Sequence, residues 1–125
     1  MRESYRVVVP DRFLTTNFID EVVTIWHGDH EVIETDHAVR LREGERPGVT
    51  YVPIDEIDGA TLQVSGKRYK CRWKGDATYY DIHLSSGEVI VDGAWAYPDA
   101  PDEIALLQKR IAFDTARFNE QFTPK

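Results

Sequence analysis

Short runs of β-branched and aromatic residues follow one another along this chain, and each is cut by Gly, Pro, Asp or Ser. "EVVTIWH" and "HEVIET" flank Gly28-Asp29, a hairpin signal. "VTYVP", "ATLQVSG", "RYKCRW", "ATYYDIHL" and "EVIVDGAW" follow in the same manner, and near the N-terminus "YRVVV" stops at Pro10. "HAVRLRE" alternates apolar and basic residues and reads as a strand or a short helix. Runs of this length at this spacing predict antiparallel strands.

One segment breaks the pattern. In "PDEIALLQKRIAF", Pro101 and Asp102 read as a helix start, and Ile104, Leu107 and Ile111 fall at helical spacing. The expected fold is therefore mainly β, either a barrel or two packed antiparallel sheets that hide their edges, with one C-terminal helix. The 125 residues form one domain over 1–125, long enough for a core without disulfides. No apolar run approaches the roughly 18 residues of a membrane span, and the N-terminus has no signal-peptide h-region. A single cysteine suits a reducing compartment, so a cytoplasmic location is expected. The net charge of −7 argues against a large nucleic-acid face.

Aromatics gather around that cysteine in "KCRWKGDATYY". With Gly75-Asp76 as a two-residue turn, Cys71 lies opposite Tyr80, Tyr69 opposite Ile82 and Trp73 opposite Thr78. Tyr69, Cys71 and Trp73 then share an inward face, and Arg68, Lys70 and Arg72 share the other. A lone cysteine on an apolar face is more often a small core hydrophobe than a nucleophile. Lys74 supports the reactive alternative, because a nearby ammonium lowers a thiol pKa.

Several segments together resemble the domain of unknown function 427 family, a group labelled nucleotidyltransferase-like. The resemblance rests on "GDHEVIETDHAVRLRE" with Glu43, "YVPIDEID" with Tyr51, Pro53 and Asp55 or Glu56, and "CRWKGDATYY" with Cys71, Lys74, Gly75, Ala77, Tyr79 and Tyr80. "AWAYP" adds Trp95, Tyr97 and Pro98, and "AF" adds Ala112 and Phe113. Arg72 stands where many members carry proline, and Asp114 where many carry an aromatic. The resemblance implies a compact tent-like domain of two antiparallel sheets.

Nucleotidyl transfer itself finds little support. It needs a phosphate cradle and clustered carboxylates, whereas "VSGKRYK" lacks P-loop spacing and "DEID" reads as an acidic turn. No G-x-S-x-G elbow surrounds Ser65, Ser85 or Ser86, and His27 and His30 read as a hairpin tip, so no metal site or cofactor is expected. What stands out is a pocket walled by Trp73, Tyr79, Tyr80, Trp95 and Tyr97, with Lys74 to anchor an anion or carbonyl. The expected function is small-molecule binding at the Cys-x-x-Lys-Gly and Ala-Trp-x-Tyr motifs. The alternative is an enzyme at the same pocket, with Cys71, Glu43 and Lys74 as acid, base or nucleophile. The expected partner is a small molecule, not nucleic acid or a membrane, and an exposed edge strand leaves a homodimer open.

Overall fold

The computed structural model describes residues 14–125; the strand expected at "YRVVV" lies outside them. Within these residues ten strands form two antiparallel sheets. In chain order they are β1 (Leu14–Phe18), β2 (Val22–His27), β3 (His30–Thr35), β4 (Val39–Glu43) and β5 (Val49–Pro53). After them come β6 (Ala60–Cys71), β7 (Gly75–Leu84), β8 (Val89–Ala96), β9 (Arg110–Phe113) and β10 (Asn119–Thr123). Seven strands run β1-β4-β5-β9-β8-β7-β6 across the large sheet, and β10-β2-β3 form the small one. Both sheets are open, so the two-sheet expectation holds and the barrel does not.

Alternation along the strands gives the large sheet two apolar faces. Val52, Ile82, Ala94, Ala96, Ile111 and Phe113 join Val23, Ile25, Val32 and Ile33 of the small sheet in the first core. On the opposite face a second core contains Leu41, Tyr51, Cys71, Ala77, Tyr97 and Ala112, with Ile104 and Leu107. Neighbouring residues such as Ile111 and Ala112 thus serve different cores, as strand geometry requires.

The expected C-terminal helix is a correction. Asp102–Leu107 is a short 3-10 segment, broken by the non-helical backbone of Ile104. The remainder becomes β9, which pairs with β5 on one side and β8 on the other. A strand covered on both faces needs an unbroken apolar run, and "IAF" is one. Ile104 and Leu107 each insert into the second core, which explains their spacing without an α-helix.

The hairpin at Gly75 turns earlier in the chain than expected, through three residues instead of two. Cys71 pairs with Gly75, Tyr69 with Ala77 and Arg68 with Thr78, so Arg72, Trp73 and Lys74 form the turn. Gly75 follows with φ +96°, a conformation that glycine adopts without a Cβ penalty. "ATLQVSG" and "RYKCRW" fuse into one strand, with a register shift between Val64 and Arg68. None of the helices among the described residues is long and apolar enough to cross a membrane.

Candidate functional site

Five strands and one turn deliver side chains to a single cleft on the face of the second core. On β4, Leu41 and Glu43 share a face, and on β5 Val49 and Tyr51 do the same. Tyr79 of β7 lies in register with Trp95 of β8, and their rings sit 6.1 Å apart. Tyr97 follows just beyond β8, Tyr69 comes from β6, and Lys74 arrives from the β6–β7 turn. Together they line an open cleft of about 250 Å³.

Lys74 and Glu43 show how the sheet is shaped. Four strand spacings separate β4 from β7, roughly 19 Å in a flat sheet. Yet the Lys74 ammonium donates to Glu43 Oε1 at 2.5 Å. The large sheet must therefore curl until the tip of the β6–β7 hairpin meets the end of β4. Both side chains are nearly buried, at 11 % and 12 % exposure. Arg46 lies 3.9 Å from the second carboxylate oxygen.

Aromatic rings complete the walls. The Trp95 indole N–H donates to the Tyr51 hydroxyl at 3.3 Å. The Lys74 ammonium sits 5.4 Å from the Tyr97 ring centre, and Lys67 lies 4.4 Å from that of Tyr79. Burial pushes the Tyr51 phenol well above its ordinary value; the bond from Trp95 opposes this, and the Glu43 charge adds to it. Burial likewise raises Tyr97, with neighbouring Tyr51 contributing. Both therefore stay neutral donors through the physiological range.

Of the residues expected from sequence, Glu43, Lys74, Tyr79, Trp95 and Tyr97 meet at the cleft. Cys71 is buried within the second core and does not line the cleft. Trp73 packs on the rim of that core under the Arg72 guanidinium, 4.9 Å from its ring centre. Tyr80 faces the first core, on the other side of the sheet. Strand alternation separates Tyr79 from Tyr80, and grouping them by proximity in sequence overlooked it.

Tyr51 and Tyr69 line the cleft without having been chosen as site residues. The signal for Tyr51 was its two-residue spacing from Val49 on a clear strand; for Tyr69 it was its shared parity with Cys71. Members of the basic row are engaged locally. Arg68 donates to the carbonyls of Ser65 and Lys67, and Lys70 pairs in register with Asp76. At the β2–β3 tip, His30 donates to the Gly59 carbonyl and His27 to that of Arg117.

The family model described as Domain of unknown function (DUF427) matches residues 16–123. The chain belongs to that family. The match leaves the chemistry open, because the description names none. No curated protein matches the chain. Among the described residues, no group of three or more His, Cys, Asp or Glu is placed to hold a metal ion.

Proposed function

We propose that this member of the family is a small-molecule-binding domain, and that its ligand occupies the cleft between the Glu43–Lys74 pair and the aromatic wall. The observation that carries the reading is that ion pair. Two charges withdrawn from water are often no more stabilising than apolar side chains of similar volume. A curled sheet that brings them together at the floor of an open, ring-lined cleft supports a role beyond packing. Apolar walls with a few convergent polar groups are the common form of a ligand site, and this cleft falls just below the usual size range, which suits a small ligand. The reading includes a cytoplasmic location, supported by the single buried cysteine.

Thermal melting against a library of small metabolites tests it. A ligand at one hundred times its Kd adds about 2.7 kcal/mol of stability. At least one compound is expected to raise the melting temperature of the native chain and to lose that effect in Trp95→Leu. A library with no such compound, or equal shifts in both proteins, contradicts the reading.

An enzyme at the same cleft is the second reading. It is favoured by a carboxylate, an ammonium and two neutral phenols gathered at one place, a set suited to proton transfer. Proton transfer is favoured over thiol chemistry, because Cys71 is buried in the second core and is not among the side chains that line the cleft. Glu43→Gln that keeps ligand binding but abolishes turnover would favour the enzyme over the binder.

A further inference from the structure

The polar groups of the cleft are unevenly divided between donors and acceptors. Tyr97 is 4 % exposed and lines the cleft, yet its hydroxyl has no hydrogen-bond partner among the described residues. Tyr51 accepts the Trp95 indole proton, so its own O–H remains available to donate. Lys74 has three N–H bonds, of which one goes to Glu43. Three donors thus converge where Glu43 supplies the carboxylate, and that carboxylate is already engaged by Lys74, with Arg46 close to its other oxygen. A buried hydroxyl without a partner is costly, and a ligand oxygen would relieve the cost.

Charge points the same way. Lys74 lines the cleft, Lys67 stands over its Tyr79 ring and Arg46 lies near Glu43, the one carboxylate among the described residues that line it. An aromatic cage for a cationic ligand fits poorly, because ammonium groups already stand over the Tyr79 and Tyr97 rings.

We infer that the cleft takes a small planar anion, its carboxylate held by Lys74 and the hydroxyls of Tyr51 and Tyr97, its flat body against Trp95 and Tyr79. This rests on the small-molecule reading above and gives its ligand a chemical class. The two phenols act as neutral donors, since burial keeps them protonated. Specificity comes from their geometry: an alcohol or an amine of the same shape leaves donors unsatisfied or adds a like charge.

Isothermal titration of the native chain with benzoate, benzyl alcohol and benzylammonium tests the inference. Benzoate is expected to bind most tightly, and Tyr97→Phe to weaken it roughly tenfold or more through the lost charge-assisted hydrogen bond. Comparing the three probes on the native chain requires no variant to fold. Tighter or equal binding of the alcohol or the ammonium overturns the anion assignment while leaving the small-molecule site in place. Benzoate binding that Tyr97→Phe does not change also overturns it. Silence from all three probes overturns it as well, and the metabolite melt then decides the broader reading separately.

Discussion

Tyr51 and Tyr97 line the same cleft, and loss of their hydroxyls is expected to have opposite effects on the ligand-free protein. Tyr51→Phe leaves the Trp95 N–H without an acceptor and should cost about 1–2 kcal/mol in denaturant unfolding. Tyr97→Phe removes a buried hydroxyl with no partner among the described residues, and should leave stability unchanged or raise it by up to about 1 kcal/mol. Equal losses in the two variants would mean that Tyr97 has a polar partner in solution. Lys74→Met removes the ammonium from a nearly buried ion pair with Glu43, and should cost about 3 kcal/mol. The double variant Glu43→Gln, Lys74→Met should recover part of that loss, because the nearly buried carboxylate that lost its ammonium is then neutral as well. Sequence reading reached Glu43 and Lys74 through separate motifs 31 positions apart. It had no means of showing that they touch, since the curl of the sheet depends on the whole strand order.

At the scale of elements, the β6–β7 turn positions Lys74. Gly75→Ala places a side chain at φ +96° and should cost roughly 1–2 kcal/mol, read from the urea midpoint. The nearest atom to the new methyl is the Asp99 carbonyl oxygen at 3.5 Å, an ordinary contact, so the cost is conformational. A fully neutral Gly75→Ala would contradict this turn geometry. The strands themselves were legible wherever period-two alternation met a clear stop, as in β5, which coincides with "VTYVP". The C-terminal segment was misread because Ile104, Leu107 and Ile111 are buried for two different reasons. The first two cap the second core from a 3-10 segment, and the third faces the first core from a central strand. Helical spacing arose there by coincidence of two structures. The hairpin register was misplaced because the Gly-Asp pair looked like the turn, while glycine actually closes a turn formed by the three residues before it and Cys71 pairs with Gly75 instead of Tyr80.

The whole molecule places two faces of one sheet in different service. One is sealed against the small sheet, and the other curls around the cleft. Alkaline stability follows from that second face. The Tyr51 and Tyr97 pKa values are raised in the folded state, so their contribution is fully present below about pH 10, the ordinary phenol value, and is lost as pH rises beyond it. Melting temperature should fall above that pH, and fall less steeply in Tyr97→Phe; an identical fall would contradict the buried, neutral state of this phenol. The three tryptophans offer a more direct view of the cleft itself. Trp95 lines it, Trp73 packs beside the second core, and Trp26 bonds to Gln121 on the small sheet. The decisive measurement is a proton–nitrogen correlation spectrum of the indole N–H groups during titration with small planar carboxylates such as benzoate. A saturable shift of the Trp95 signal while Trp26 stays fixed is the predicted result. A Trp95 signal that stays fixed throughout, or shifts confined to Trp26, would contradict a planar-carboxylate site in this cleft.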